Sequence, residues 1–117
     1  MDNEQIHILD FLEFQALAMR TANRMGRDKD LIHAAMGLTS EAGEFMDAIK
    51  ANYAYGKELD IQNLIEELGD LLWFVALACN SLGIPMSVPA HMCIEKLLVR
   101  YPDQFTNEDA IARADKQ

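Results

Sequence analysis

Residues 61–81 read IQNLIEELGDLLWFVALACNS, and this segment carries the most information about the architecture. Asp60 is a favourable N-cap before it, and Gly83 and Pro85 follow it as helix stop signals. Between residues 68 and 79 the predicted helix is apolar almost all the way round. Such a helix must be covered on every side, and 117 residues supply little material for that. We therefore expect a second subunit to complete the cover; the central core helix of a monomer is the simpler alternative.

The rest of the chain is helical in its periodicity as well, which predicts an all-α fold of four main helices plus a short C-terminal helix. No stretch alternates apolar and polar residues for long, so strands are not expected. The charged run 27–30 is expected to separate the first two helices, and Ser87 and Thr106 are expected to cap the last two. One domain spanning 1–117 is expected. The predicted helices are Gln5–Met25, Leu31–Tyr53, Ile61–Ser81, Val88–Arg100 and Asn107–Ala114.

Charge and cysteine content exclude several classes of protein. Lys and Arg total 10 against 19 Asp and Glu, which gives a formal net charge of -9. So acidic a chain is not expected to hold nucleic acid by neutralising phosphates or to dock on an anionic membrane. No apolar stretch approaches the roughly 20 residues of a membrane span, and the acidic start is unlike a signal peptide. Cys79 and Cys93 form neither a disulfide framework nor a CxxC motif, which indicates a cytoplasmic protein.

Two acidic pairs lie inside the predicted helices. Glu41 and Glu44 flank Ala-Gly in the second helix, and Glu67 and Asp70 flank Leu-Gly in the third. A spacing of three places both members of a pair on one face of the helix, one turn apart. Two unit charges about 5.5 Å apart repel by about 3 kcal/mol at an effective dielectric constant near 20, so a compensating charge is expected.

The usual compensation on a helix surface is a Lys or Arg four residues later, and none is present. The residues at that spacing are Phe45, Ala48, Leu71 and Phe74. Glu66 adds a like charge four residues before Asp70. Apolar successors indicate that these acidic groups lie near the buried side of their helices. Gly43 and Gly69 each precede the second carboxylate at a cost of about 1 kcal/mol relative to Ala, which indicates close approach of another backbone or of a bulky ligand.

These features predict that the four carboxylates meet across two packed helices and hold hard divalent cations. Ligand sets made only of oxygen suit Mg²⁺, with Mn²⁺ as a substitute, and no His or Cys stands at zinc spacing. The alternative is that both pairs are solvated charges, which is common for either pair alone. A di-iron helical bundle fits less well because it needs two ExxH motifs, and this chain has one, from Glu4 to His7.

The run GLTSEAGE at 37–44, followed by EELGDLLW at 66–73, resembles the MazG-like nucleoside triphosphate pyrophosphohydrolases of the all-α NTP pyrophosphatase superfamily. The signature of that family is ExxE, a spacer and ExxD. KLLVRYP at 96–102 is similar to the family's K-L-x-x-R-Y-P ending, and Tyr55-Gly56-Lys57 resembles a loop of small phage and bacterial members. The resemblance covers residues 31–106.

The resemblance implies an enzyme that binds Mg²⁺ and hydrolyses nucleoside triphosphates, with deoxynucleotides or non-canonical nucleotides as the expected substrates. Water would attack the α-phosphorus and release the monophosphate and pyrophosphate. By motif position, Glu41, Glu44, Glu67 and Asp70 would be the metal ligands and catalytic residues. Which carboxylate orients or deprotonates the water is left open. A homodimer or a homotetramer is implied as well.

Five further residues are candidates for binding the substrate. The resemblance implies that Lys96 and Arg100 contact phosphate oxygens, although cations near a helix C-terminus are favourable in any case. Trp73 either borders a base pocket or belongs to the core. His33 faces the substrate or is an ordinary exposed histidine, and Lys57 reaches phosphate or is solvated.

One position departs from the family pattern. Many relatives carry Asn where this chain has Cys93, and Asn80 is the nearest candidate on the preceding helix. This departure is the best support for a non-enzymatic alternative, a dimeric helical module that binds nucleotide or Mg²⁺ without hydrolysis. A plain interaction protein with an acidic surface is a third interpretation. Neither nucleotide nor Mg²⁺ would raise the thermal stability of such a protein.

Overall fold

A computed structural model describes residues 9–117, and within that range the chain forms five α-helices and no strand. The predicted all-α class, with four main helices and a short C-terminal one, is confirmed. None of the described helices combines the length and the apolar character needed to cross a bilayer. The elements are α1 (Phe11–Met19), α2 (Arg27–Tyr55), α3 (Ile61–Ser81), α4 (Ser87–Arg100), α5 (Asn107–Ala112) and a 3-10 turn (Ala114–Lys116).

The chain divides into two compact units, one ending at Pro85 and the other comprising Met86–Gln117. The first unit holds α1, α2 and α3, and the second holds α4, α5 and the 3-10 turn. The expectation that residues 1–117 form a single domain stays a prediction.

Helix α1 is shorter than predicted. It begins after Asp10, whose carboxylate accepts the backbone N–H of Glu13 at 2.8 Å, and it ends at Met19 instead of Met25. Just beyond that end, the Thr21 hydroxyl donates to the carbonyl of Ala18 at 2.7 Å and accepts the indole N–H of Trp73 at 2.8 Å. This contact with α3 fixes the chain where the sequence alone favours further helix. The predicted stretch 5–8 lies outside the described residues.

Helix α2 begins earlier than predicted, because the charged run 27–30 forms its first turn and does not separate the helices. Asp28 and Asp30 carry negative charge at the positive end of the helix dipole, where it is favourable. Asp30 is also buried, and its Oδ1 accepts the backbone N–H of Met25 at 3.0 Å. At the other end, Gly56 adopts φ 67° and its backbone N–H donates to the carbonyl of Asn52 at 3.2 Å, as in an αL C-cap.

Helix α3 has the predicted limits, Ile61 and Ser81, and the predicted cap, since Asp60 accepts the backbone N–H of Asn63 at 3.1 Å. Thr106 caps α5 as predicted, accepting the backbone N–H of Asp109 at 3.0 Å. Two expectations are wrong. Ser87 is the first residue of α4 and makes no cap, because Met86 occupies the N-cap position. Helix α5 ends at Ala112 and not at residue 114.

Helices α2 and α3 form an antiparallel hairpin joined by residues 56–60. The pairing is read from two contacts that run in opposite directions along the chain, Gly37 with Phe74 and Glu41 with Glu67. A Cβ atom at Gly37 would overlap the ring of Phe74, so this close approach requires glycine. The contact between Gly37 and Phe74 therefore sets the register of the two helices. It lies one helical turn from the acidic pairs.

The described chain does not cover α3 on every side. Ala76, Leu77 and Cys79 are buried. On another face Leu68 is 50% exposed and Leu72 is 42% exposed. Ile61 and Ile65 continue this stripe and are also exposed. A second subunit, as expected from the sequence, would need such an uncovered apolar stripe as its contact surface. The subunit itself stays a prediction.

Candidate active site

Three carboxylates from two helices meet at one place in the first unit. Glu41 of α2 and Glu67 and Asp70 of α3 each offer one oxygen, and these three oxygens lie within 4.8 Å of one another. The antiparallel hairpin brings the middle of α2 beside the first half of α3. The contact between Gly37 and Phe74 then holds the two acidic pairs in register.

The cluster contains two buried oxygen atoms that have no hydrogen-bond partner in the described part of the chain. Glu67 is 9% exposed and Glu41 is half-buried, whereas Glu44 and Asp70 are exposed. The expectation that all four lie near the buried side is therefore wrong for Glu44 and Asp70. Among the described residues, no group donates a hydrogen bond to Oε2 of Glu41 or to Oε2 of Glu67. Buried polar atoms are normally paired, so these two oxygens are available as ligand atoms for a cation.

The electrostatics of the cluster are those of acidic groups held close together. The pKa of Glu67 is raised from 4.5 to about 7, chiefly because its protonated carboxyl group can share a hydrogen bond with Glu41. Burial adds to the rise, and hydrogen bonding and charge repulsion from Glu44 add further. Near neutral pH and without a cation, the cluster can therefore retain a proton. A bound cation would release it, because a metal ligand must be deprotonated.

The four predicted ligands thus occupy two kinds of position. Glu41, Glu67 and Asp70 form the convergent group, whereas all four carboxylates were expected to meet across the two helices. Glu44 is close enough to Glu67 to raise its pKa, but its oxygens lie outside that group. Their assignment as metal ligands stays a prediction.

An aromatic wall borders the carboxylates. A cleft of about 330 Å³ is lined by Glu41, Asp70, Trp73 and Phe74. The rings of Trp73 and Phe74 meet edge to face at 5.0 Å, and the His33 ring lies 5.6 Å from that of Phe74. The indole N–H of Trp73 donates a hydrogen bond to the hydroxyl of Thr21, so Trp73 lines the cleft with the apolar part of its ring. Sequence reasoning did not select Phe74 as a lining residue, although its position one turn after Asp70 could have indicated it.

The three basic candidates have different surroundings. Lys57 is exposed in the loop after α2, in the first unit. Lys96 is exposed on α4 and Arg100 is half-buried on the same helix, in the second unit. The guanidinium group of Arg100 is paired with Asp115, Nε to Oδ1 at 2.7 Å and Nη2 to Oδ2 at 2.9 Å. Sequence reasoning missed this partner, and the contact of the three cations with phosphate stays a prediction.

Asn80, the nearest candidate to replace the asparagine expected at position 93, already has a hydrogen-bond partner. Cys93 itself is exposed on α4. Asn80 lies at the C-terminal end of α3. With its amide oriented so that the oxygen faces Arg24, that oxygen accepts from Nη2 at 2.9 Å and from Nη1 at 3.1 Å. Arg24 also lies 3.9 Å from the buried Asp30, so Asn80 is part of a structural network in the first unit.

Comparison with known families supports the interpretation of the motifs. A family model described as the MazG nucleotide pyrophosphohydrolase domain matches residues 31–105. The matched region includes the four carboxylates, the aromatic wall, Lys96 and Arg100, and it ends before Asp115. Searches of the curated proteins and of the solved structures return no match to this chain.

Proposed function

The chain belongs to the MazG family, and we therefore propose that it hydrolyses nucleoside triphosphates at the α-phosphorus, releasing a nucleoside monophosphate and pyrophosphate. The MazG family is a nucleoside triphosphate pyrophosphohydrolase family. The observation that carries the proposal is the cluster of Glu41, Glu67 and Asp70, with two buried oxygens that have no hydrogen-bond partner within residues 9–117. Deoxynucleotides or non-canonical nucleotides are the proposed substrates.

The residues of the cluster fit a divalent cation. The MazG family is generally dependent on divalent metals, and the donor set here is entirely carboxylate oxygen. Such a set suits Mg²⁺, with Mn²⁺ as a substitute. We propose Glu41, Glu67 and Asp70 as ligands, with Glu44 as the fourth. When bound, Mg²⁺ supplies positive charge for the phosphates and lowers the pKa of a coordinated water.

The protein's own groups would divide the remaining work. A carboxylate of the Glu41–Glu44 pair would orient the attacking water and accept its proton. Lys96 and Arg100 would bind phosphate oxygens by charge-assisted hydrogen bonds, with Lys57 as a further cation. The ring of Trp73 would lie against the nucleobase, because an aromatic face can stack on any base. His33, on the other side of Phe74, would extend this surface. A chain with a net charge of -9 would thus bind a polyanion through bridging cations.

We also propose that the active form is a homodimer or a homotetramer. The exposed stripe of Ile61, Ile65, Leu68 and Leu72 on α3 supports this, because apolar residues one turn apart on one face form a helix-packing surface. Light scattering coupled to size exclusion would show a single species larger than 13.2 kDa. Leu68→Asp should dissociate it, whereas Ile111→Asp, at a residue 84% exposed on α5, should not. A monomeric wild-type protein would contradict this part of the proposal.

The activity is tested by incubating the protein with Mg²⁺ and a panel of ribo-, deoxyribo- and modified nucleoside triphosphates. Pyrophosphate and orthophosphate are assayed separately. Pyrophosphate with the matching monophosphate, lost on chelation of Mg²⁺, is the expected result and identifies the preferred base. Release of orthophosphate would mean that a different phosphorus is attacked, and the proposed reaction would be wrong.

One observation favours a second candidate, a helical module that binds nucleotide and Mg²⁺ without hydrolysis. Cys93 stands where the family resemblance implies Asn, and Asn80 is engaged with Arg24. This candidate predicts thermal stabilisation by Mg²⁺ and nucleotide with no product from any member of the panel.

We propose the cytoplasm as the location, because Cys79 and Cys93 are both free thiols.

A further inference from the structure

The second unit contains an ion pair whose acidic member, Asp115, has no part in the proposed reaction. Arg100 and Asp115 form a two-bond contact, Nε to Oδ1 at 2.7 Å and Nη2 to Oδ2 at 2.9 Å. The side chain of Asp115 is 2% exposed and that of Arg100 is 17% exposed. The contact therefore covers one full edge of the guanidinium group with a carboxylate. Asp115 lies beyond the stretch that matches the family model.

The backbone makes this contact at a conformational cost. Arg113, which ends α5, adopts φ 50° and ψ 51°, and it is the sole non-glycine residue with positive φ in the described range 9–117. The left-handed region is unfavourable for a residue with a Cβ atom. This turn redirects the chain from α5 into Ala114–Lys116, the segment that carries Asp115 to Arg100.

We propose that the ion pair between Asp115 and Arg100, called the latch below, prevents Arg100 from binding anionic ligands. Asp115 and a phosphate group then compete for the same edge of the guanidinium group. The proposal rests on the proposed function, in which Arg100 contacts the phosphates of the substrate. Carboxylate and phosphate both bind this edge through two parallel hydrogen bonds, so one can replace the other. While the latch is closed, the pair has no net charge and attracts a phosphate group weakly. The apparent affinity for phosphate is then reduced by the fraction of molecules in which the latch is open.

The test measures binding of inorganic pyrophosphate in the presence of Mg²⁺ by calorimetry, so that it does not depend on hydrolysis. Asp115→Asn in the full chain should tighten binding by about tenfold, within the range typical of coupled equilibria. Asp103→Asn is the matched control, because Asp103 is an exposed residue of the same unit and the change in charge is the same. In an Arg100→Ala background, Asp115→Asn should have no effect. An unchanged or weakened affinity in Asp115→Asn, or no binding by either protein, would overturn the latch.

A second measurement needs no variant and covers the case in which Asp115→Asn does not fold. The Nε–H resonance of Arg100 in the wild-type protein reports its hydrogen bond with Asp115. Addition of Mg²⁺ and pyrophosphate should move this resonance, and a resonance that stays in place at saturation would overturn the proposal. Failure of the proposed function has a different signature: pyrophosphate binds and the latch responds, but no nucleotide of the panel is hydrolysed.

Discussion

Glu67 and Asp115 are both buried carboxylates, but they have opposite surroundings. Glu67 faces the carboxylates of Glu41 and Glu44, which together with burial raise its pKa to about 7. Asp115 faces the guanidinium group of Arg100, which lowers its pKa to about 2. Burial opposes ionisation in both, so the sign of the neighbouring charge determines which way each pKa moves. The difference distinguishes a cluster of like charges from a carboxylate that is paired with a guanidinium group.

The largest effect is expected from removing a charge of the acidic cluster. Glu41→Gln and Asp70→Asn should each lower pyrophosphohydrolase activity by about 100-fold or more, since even partners of metal ligands cost about 10- to 100-fold when mutated. The helical circular dichroism should be unchanged. Glu66→Gln, at the exposed neighbour of Glu67, is the control and should retain activity. Full activity in both cluster variants would refute the metal assignment.

The second prediction concerns the register that creates the cluster. Gly37→Ala places a methyl group into the ring of Phe74, so it should destabilise the fold by about 1–3 kcal/mol, as overpacking usually does. Activity should fall as well, because the carboxylates of α2 and α3 move relative to each other. Urea unfolding and the pyrophosphate assay measure the two effects. A variant as stable as the wild type would show that the helices do not pack as described.

The raised pKa of Glu67 predicts how stability depends on pH in the presence of a chelator. Its contribution is fully present below pH 4.5, the unfolded value, and is lost as the pH rises through about 7. The melting temperature should therefore fall over that window. Mg²⁺ should restore it more at pH 8 than at pH 5. Glu67→Gln should flatten the dependence on pH, and an unchanged profile in that variant would assign the effect to other groups.

Asp115 predicts the opposite dependence. Its contribution is present above pH 3.8, the unfolded value, and is lost as the pH falls through about 2. Acid unfolding should therefore show a difference between wild type and Asp115→Asn that is large at pH 5 and small near pH 2. Asp103→Asn serves again as the control for a simple loss of charge. Equal acid stability of the two variants would mean that the contact with Arg100 contributes nothing in solution.

The smallest effect is expected at the glycines of the two acidic motifs. Within the described residues, nothing lies within 4 Å of a Cβ atom built at Gly43 or Gly69. Gly43→Ala and Gly69→Ala should therefore stabilise the isolated chain by up to about 1 kcal/mol each. Activity or assembly that falls while stability rises would show that a ligand or a second subunit occupies this space. If neither falls, the glycines have no role in the site.

Local signals predicted the helices unevenly, and α1 and α3 show why. The limits of α3 were correct because its start depends on Asp60 and its end on Gly83 and Pro85, all next to the helix. The end of α1 was wrong because the hydrogen bond between Trp73 and Thr21 joins residues far apart in sequence. The start of α2 was wrong for a different reason, since a charged run was interpreted as a loop although its acidic residues suit a helix N-terminus.

Sequence patterns alone predicted the all-α class and the family. They also identified the acidic residues, because three-residue spacing on a helix places two side chains on one face. The packing of the helices was needed to show that Glu41, Glu67 and Asp70 converge and that Glu44 stands outside this group. The pairing of Arg100 with Asp115 was likewise visible only in the folded chain. Helical periodicity reports which face a side chain occupies, whereas the distance between residues on different elements depends on how those elements pack. Packing here depends on contacts such as Gly37 with Phe74, which no local pattern encodes.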